Sequence, residues 1–420
     1  MRSKLRFLYN RLSEKLWIRP LLFCILAAAV AFAAAFTDRL GIENLIPNID
    51  HDTVEKLLSI IAASMLGVAT FAVGSMVSAY ASVSSNATPR AFTLVISDDV
   101  SKTVLSTFIA AFIFSVIALI AIKASYYGQT GLFSVFITTI IVLGWVVFSF
   151  VKWVDQIARL GRLGTTIDRV EKAAEAAIER RRHSPTLGAL PVDTNADPGE
   201  PIFADAIGYV QHVNVKALQS CAEYYKATLT VAALPGAFIA PGRALAFVKK
   251  SGGEASRGFD ASLVVNEFVI GHDRVFDEDP RFGLIALSEI AARALSPAVN
   301  DPGTAIGIIG TFVRLFAQWT TRIKDGEEPS EAQFDRVRVA PLSVDEMFDD
   351  AFTAITRDGA GVLEVVVRLQ KAFISLSATG HQEIKAAASH HSKLSLARAE
   401  MALKLPYEME RARALAGKII

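Results

Sequence analysis

The stretch FVIGHDRVFDEDPRFGLIALSEIAARALSPAVNDPGTA, residues Phe268–Ala305, packs charge, proline and glycine more densely between apolar runs than any other part of the chain. Asp279 before Pro280 predicts a helix start, because an aspartate caps free N–H groups and proline suits the first helical turn. Asp301 before Pro302 repeats this pattern. We therefore expect two capped helices joined by a tight turn.

Polar side chains make this stretch the candidate ligand site of the chain. Arginine stands among carboxylates, helix N-termini favour anions, and an asparagine in the turn supplies a donor and an acceptor. The candidate ligand or anion site consists of Arg274, Asp279, Ser296, Asn300, Asp301 and Thr304. The alternative is that the acids are solvated or cap the helices, and that the proline-rich turn is only a helix corner.

We expect no metal, no cofactor and no enzymatic activity. The acids between Asp273 and Asp279 lack the spacing of an EF-hand loop. His390 and His391 are adjacent, so they cannot share one helix face as a metal site would require. The chain contains no nucleophile elbow, P-loop, HExxH motif or dinucleotide fingerprint. The two cysteines are too few for a disulfide framework and predict free thiols.

Four long segments without charge precede this stretch and predict four transmembrane helices. A helix needs roughly 20 apolar residues to cross a bilayer, and each segment can supply them. The predicted spans are Pro20–Thr37, Leu57–Pro89, Thr103–Ile122 and Ala124–Val151. The hydrophobic share of 52% agrees with a membrane part, since soluble proteins average about 45–50%.

Basic residues in the short flanks of these spans predict that both termini are cytoplasmic. Arginine and lysine precede the first span, connect the second to the third and follow the fourth, whereas the connection after the first span is mainly acidic. Short basic flanks stay on the cytoplasmic side, so we expect a multi-pass protein of the bacterial inner membrane with the lipid bilayer as partner. The net charge of +1 gives no reason to expect nucleic acid as a partner.

The second span has the only pronounced face of small and polar residues. Residues at helical spacing on this face are Ser64, Gly67, Phe71, Gly74, Ser75, Ser78, Ser82 and Ser85. Small residues commonly allow helices to pack closely. The alternative is a pore lining, with Phe71 as a constriction and Ser75, Ser78 and Ser82 as a hydrophilic path. No ionisable residue lies within a span, which argues against a proton-coupled transporter and leaves a channel open.

Composition and periodicity divide the chain into five regions. They are a basic N-terminal segment (1–19), a four-helix transmembrane domain (20–152), a connecting helix and linker (153–200), a small β-rich domain (201–270) and a helical domain (271–420). Alternating apolar residues between Pro-Gly turns predict a small β-barrel or sandwich in the fourth region. Its segment PGAFIAPGRALAFV, residues 235–248, resembles the glycine-turned hairpin of barrel-sandwich domains. The predicted fold class is a membrane α-helical domain followed by an α+β cytoplasmic domain with a helical C-terminal part.

Several motifs resemble the DUF2254 family of predicted bacterial membrane proteins. They are TPRAF at 88–92, GY at 208–209, Ile270-Gly271 with Arg274, RALSPAVNDPGTA at 293–305 and FTAITRDG at 352–359. The resemblance covers nearly the whole chain and implies the same layout and membrane location. The function of that family is unknown, so the resemblance implies no activity.

Two functions of different class fit these observations. One is a homo-oligomeric channel or transport protein for ions or small solutes, with the second span near the axis and the cytoplasmic domain as a gate. The other is a membrane-anchored cytoplasmic module that binds a ligand or acts as a sensor. We favour the channel, because about a third of the chain crosses the bilayer and an anchor needs only one or two spans.

Overall fold

The computed structural model describes residues 17–40, 47–96, 99–159, 162–193, 195–250, 258–321 and 332–419. Most of the predicted basic segment 1–19 lies outside these residues. The chain divides into two compact units, with the boundary between Thr166 and Ile167. We call them the membrane unit and the C-terminal unit. The structure is mostly helical, at 67%.

The described part of the membrane unit contains four helices that are long and apolar enough to cross a membrane. They are α1 (Ile18–Ala33), α2 (His51–Asn86), α4 (Asp99–Lys123) and α5 (Gln129–Arg159), with the short helix α3 (Phe92–Ile96) before α4. The four predicted spans are confirmed. Helix α2 begins before its predicted segment, at His51, and α5 continues beyond its segment to Arg159. Charged residues at the helix ends also pair, as Lys123 does with Glu55 at 2.8 Å.

Large apolar side chains and alanines together fill the interior of this unit. Ile61 and Met65 of α2 pack in one cluster with Phe108 of α4 and Trp153 of α5. A second cluster adds α1 through Ala31 and joins it to the three other spans. The four spans therefore pack through their apolar faces.

The fourth span begins at a cap that comes from another part of the chain. Asp38 lies in the 3₁₀ turn Ala34–Leu40, directly after α1. Its carboxylate accepts hydrogen bonds from the N–H groups of Gly128, at 2.8 Å, and Gly131, at 2.6 Å. A Cβ atom on Gly131 would lie 2.6 Å from this carboxylate, so glycine permits the approach. The positive end of the helix dipole also favours an anion at this position.

We expect Asp38→Ala to lower the thermal stability of the detergent-solubilised protein, because α5 loses its cap. Removal of a helix cap costs about 0.5–2 kcal/mol. Asp38→Asn keeps an oxygen acceptor and should lose less, and Asp205→Ala, at an exposed bend outside any helix, serves as the control. Equal melting temperatures for Asp38→Ala and the unmodified protein would contradict the assignment of this cap.

The C-terminal unit combines helices with short strands. Its helices are α6 (Leu163–His183), α7 (Val215–Tyr224), α8 (Ala261–Val265), α9 (Pro280–Ala294), α10 (Pro302–Thr320), α11 (Val344–Asp358), α12 (Leu363–Ser377), α13 (Gln382–Ala402) and α14 (Pro406–Ala416). Its strands are β1 (Ala189–Pro191), β2 (Glu200–Ile202), β3 (Gly208–Val213), β4 (Ala227–Val231), β5 (Phe238–Ile239), β6 (Ala246–Lys250), β7 (Phe268–Gly271) and β8 (Phe334–Val339). The two capped helices that the sequence predicted, α9 and α10, are confirmed.

The strands form two open sheets. In the first the order is β1-β8-β4-β6-β2, with β8 parallel to β1 and β4, and β6 antiparallel to β4 and β2. In the second, β3 pairs antiparallel with both β5 and β7. The described strands form no closed barrel, because the edge strands β1 and β2 of the larger sheet do not pair with each other.

The hairpin that residues 235–248 resemble is not formed. Strand β5 pairs with β3, and β6 pairs with β4, so the intervening turn carries the chain from one sheet to the other. Two further differences are helix α7, which lies inside the predicted β-rich region, and strands β1 and β8, which lie outside it. Both sheets and α7 share one core, in which Leu218, Leu229 and Ile239 are fully buried.

A cluster of phenylalanines forms the core between the helices of the C-terminal unit. Phe312, Phe316, Phe348, Phe352 and Phe373 are fully buried, and their rings contact one another edge-on or stacked. All of these side chains belong to the region 271–420, which the sequence predicted to be helical. His391 of α13 lies within the same cluster, with its ring centroid 5.7 Å from that of Phe348.

We expect the stability of the protein to decrease when the pH falls below the ordinary histidine pKa of about 6.5. Burial lowers the pKa of His391, and Asp349, 3.3 Å from its Nε2, opposes this only in part. The unfolded chain therefore binds the proton more tightly, so stability is constant above this pH and falls below it. Melting temperatures measured from about pH 8 to about pH 5 check this. His391→Gln should flatten the decrease, and His390→Gln, at an exposed position, should keep most of it.

Candidate functional site

The centre of the predicted ligand site is a buried ion pair between Arg274 and Asp279. The guanidinium donates from Nε to Oδ2 at 2.6 Å and from Nη2 to Oδ1 at 2.9 Å. Asp279 is 2% exposed, and its carboxylate also accepts the N–H of Phe282 at 3.3 Å. A bidentate arginine and a helix N-terminus together satisfy this buried carboxylate. The Arg274 guanidinium lies 5.5 Å from the centre of the Phe282 ring.

A glycine turn before β5 rests directly on this ion pair. Gly236 has a φ of +91°, and its N–H donates to the carbonyl of Val210 in β3 at 2.8 Å. A Cβ atom here would lie 2.3 Å from Oδ2 of Asp279 and 2.8 Å from Nη2 of Arg274. Only glycine fits both the backbone conformation and the space beside the ion pair.

A cleft of about 520 Å³ opens beside this turn. Its lining includes Arg243, Arg274 and Arg281. Arg281 pairs with Asp350 at 2.6 Å and also with Glu346, both on α11. Two of the three arginines in the cleft are therefore held by carboxylates of the chain itself, which leaves the exposed Arg243 as the cation most accessible to a ligand.

The other predicted site residues form a separate corner. Asp301 caps α10, since it accepts the N–H of Thr304 at 3.1 Å and the Thr304 hydroxyl at 2.6 Å. The hydroxyl bond and the N–H bond lower the pKa of the Asp301 carboxyl. Asn300 has a φ of +51°, a left-handed conformation that asparagine tolerates in turns. Ser296 accepts the N–H of Asn300 at its backbone carbonyl, at 2.9 Å, so this corner is held mainly by its own backbone.

The structure does not bring the six predicted residues into one site. Asp279 precedes the 15-residue helix α9 and Ser296 follows it, so the two groups are about 22 Å apart at 1.5 Å per residue. The N–H of Asp301 donates to the carbonyl of Ala294, at the far end of α9 from Asp279. The two helix N-termini therefore do not converge on a common anion.

The predicted face of the second span points away from the interior of the membrane unit. Phe71 is 66% exposed and its ring contacts that of Trp153 with centroids 5.8 Å apart. Ser78 is also exposed, and Ser75 and Ser82 are half-buried at the edge of this face. The four residues thus lie on one outer side of α2.

Three residues beside the ion pairs had no predicted role. Gly236 belongs to a Pro-Gly pair, which indicates a turn and says nothing about a carboxylate far along the chain. Glu346 and Asp350 are four residues apart on α11, and this spacing predicts a charged helix face without naming its partner. Their contacts with Arg281 depend on tertiary packing.

We expect Gly236→Ala to destabilise the protein more than Gly242→Ala. Both glycines have left-handed backbone, with φ of +91° and +84°, but a Cβ on Gly242 meets nothing within 4 Å. Gly242→Ala therefore measures the conformational cost alone, about 1–2 kcal/mol, whereas Gly236→Ala also forces apart a buried ion pair, a loss that reaches about 3–5 kcal/mol. Similar melting temperatures for the two variants would show that the ion pair does not need this space.

Comparison with known proteins agrees with this architecture. A family model described as a predicted membrane protein, DUF2254, matches residues 13–375. Uncharacterised proteins of Mycobacterium bovis and Mycobacterium tuberculosis are each 24% identical over 259 residues, which cover 60% of this chain and 50% of each relative. The chain spans about half the length of the curated relatives it matches. No solved structure matches the chain.

The family match extends over both units, from the first span to helix α12. Its description as a membrane protein agrees with the four apolar helices of the described residues. The chain is a membrane protein that belongs to the DUF2254 family.

Proposed function

We propose that this protein is a homo-oligomeric channel for ions or small solutes in the bacterial inner membrane. In this proposal both termini and the C-terminal unit are cytoplasmic, the second span lies at the contact between copies, and the C-terminal unit gates the pathway. The observation that carries the proposal is the outward orientation of the small-residue face of α2.

This orientation leaves both glycines of α2 outside the packing of the bundle. In membranes, helices usually pack through small residues, and large apolar residues meet the lipid. Here α2 turns Ile61 and Met65 into the bundle together with Ala69 and Ala72, while a Cβ on Gly67 or Gly74 would meet nothing within 4 Å. A second copy of α2 could approach closely along this exposed face, which supports an oligomer with α2 at its contact.

The side chains of the same face are suited to line a pathway for passive permeation of ions or small solutes. Its serines offer hydroxyl groups, and the Ser64 hydroxyl is already satisfied by the carbonyl of Ile60 at 2.7 Å, so it needs no partner from the lipid. Between residues 57 and 89 the chain has no Asp, Glu, Lys, Arg or His to bind an ion strongly. The exposed ring of Phe71 could form a hydrophobic constriction, as in channels that gate by dewetting.

A second candidate function is a membrane-anchored module that binds a ligand. It is favoured by the cleft of about 520 Å³ with the exposed Arg243 at its wall. The volume lies in the range of about 300–1,000 Å³ that small-molecule sites occupy. This function requires no ion flux, so a flux measurement separates it from the channel.

We expect the purified full-length protein to conduct ions when reconstituted in liposomes, and Gly74→Leu to abolish the flux by blocking the contact between copies. Gly144→Leu is the matched control, because Gly144 is also an exposed glycine within a span with nothing within 4 Å, but lies on α5. Phe71→Ala should increase the flux. The channel is excluded if the unmodified protein conducts nothing, or if Gly74→Leu and Phe71→Ala leave its flux unchanged.

The contact between copies can be measured independently of flux. In a chain whose Cys24 and Cys221 are replaced by serine, Ser78→Cys should form a disulfide-linked dimer under mild oxidation in membranes. Ile141→Cys, an equally accessible position at 65% exposure on α5, should remain monomeric. Equal cross-linking at both positions would indicate random collision and would remove the structural basis of the oligomer.

A further inference from the structure

The last turn of α6 carries three successive arginines, which differ in their partners. Arg180 donates from Nε to the carbonyl of Asp277 at 3.1 Å. Arg182 donates to Glu179 and to the carbonyl of Thr321, both at 2.5 Å. Arg181 is 3% exposed, and its Nε and Nη2 have no hydrogen-bond partner among the described residues. A buried guanidinium without a partner is costly, so it calls for a physical explanation.

The two carboxylates that interact electrostatically with Arg181 are bound to other groups. Glu278 lies 2.5 Å from Nδ1 of His212, and Asp279 is held by Arg274. These two carboxylates raise the pKa of Arg181, but burial outweighs them and lowers it to about 10. The guanidinium therefore remains charged at neutral pH.

Arg181 lines a pocket of about 340 Å³ within the C-terminal unit. The first residues of α7, Val215 and Lys216, line it as well, and Asn214 caps this helix by accepting the N–H of Ala217 at 3.3 Å. A helix of this kind leaves further N–H groups of its first turn free, with the positive end of its dipole at the same place. The pocket thus joins a buried guanidinium to a helix N-terminus.

The other residues that line the pocket determine which charges and apolar groups it can accept. Arg180 and Lys216 add positive charge at the pocket, whereas Asp277 and Glu278 add negative charge. Asp277 is exposed and therefore screened by water, and Glu278 is bound to His212. Leu187 and Phe334 supply apolar wall.

We infer that this pocket binds a phosphate-bearing small molecule, whose phosphate pairs with Arg181 at the N-terminus of α7 and whose apolar part lies against Leu187 and Phe334. Arginine offers a planar fork that matches phosphate oxygens, and helix N-termini bind phosphate through N–H groups and the dipole. The phosphate belongs either to a soluble metabolite or to a lipid headgroup. This site is independent of the proposed channel, since it requires neither flux nor an oligomer.

Phenyl phosphate is a suitable probe, because it combines a phosphate with a compact apolar ring. We expect it to raise the melting temperature of the full-length protein in detergent and to bind measurably by calorimetry, whereas benzyl alcohol does neither. Arg181→Gln should weaken binding at least tenfold, and Arg181→Lys should weaken it less, because it keeps the charge and loses the fork. Arg411→Gln, at an exposed arginine of α14 outside this pocket, should bind like the unmodified protein.

Arg181→Gln should also raise the melting temperature of the ligand-free protein, because it removes an unpaired buried charge. If Arg181 had a purely structural role, Arg181→Gln would lower the melting temperature of the ligand-free protein. The inference is wrong if phenyl phosphate does not bind, or if Arg181→Gln and Arg181→Lys both retain the original affinity.

The source of the phosphate can be assigned in nanodiscs. Binding of phenyl phosphate in phosphatidylcholine that is lost in phosphatidylglycerol would assign the pocket to an anionic headgroup. Equal binding in both lipids would assign it to a soluble molecule. Either outcome supports the site, and absence of binding in both lipids overturns it.

Discussion

The C-terminal unit depends on one buried carboxylate. Asp279 is almost completely removed from water, and a charge in that position is tolerated only when partners replace its hydration. Arg274 and the first turn of α9 supply those partners, and Gly236 lets a turn of the smaller sheet approach them. A single side chain thereby positions a helix start, the end of β7 and the turn before β5.

Arg181 and Arg274 show how the same residue type acquires different functions. Arg274 has its anion within the chain, so its charge contributes to folding and is satisfied before any ligand arrives. Arg181 is more deeply buried, but the carboxylates near it are bound to other groups. This arrangement lowers the stability of the ligand-free protein, as at many binding sites where function requires a less stable structure.

The membrane unit follows a different constraint. Its interior combines large apolar side chains with alanines, and polar contacts between its spans occur near the helix ends, as between Asp38 and the N-terminus of α5. Most of the small-residue face of α2 lies outside this packing, although Phe71 contacts Trp153. What covers that face decides between a protein that acts as a single copy and one that assembles through its second span.

Local chemistry in the sequence determined the four spans, the capped helices α9 and α10, and the helical character of the C-terminal part. Each depends on signals within a few residues: uninterrupted apolar length, an Asp-Pro pair, or helical spacing of apolar residues. Only the tertiary structure decided three other features. These are the order of the strands in the sheets, the separation of the two predicted ligand corners by the length of α9, and the absence, among the residues that the structure describes, of a hydrogen-bond partner for Nε and Nη2 of Arg181. They depend on contacts between residues that are far apart in the chain. Examples are the pairing of β8 with β4 and the contact of Glu278 with His212 rather than with Arg181. Such contacts cannot be predicted from local sequence.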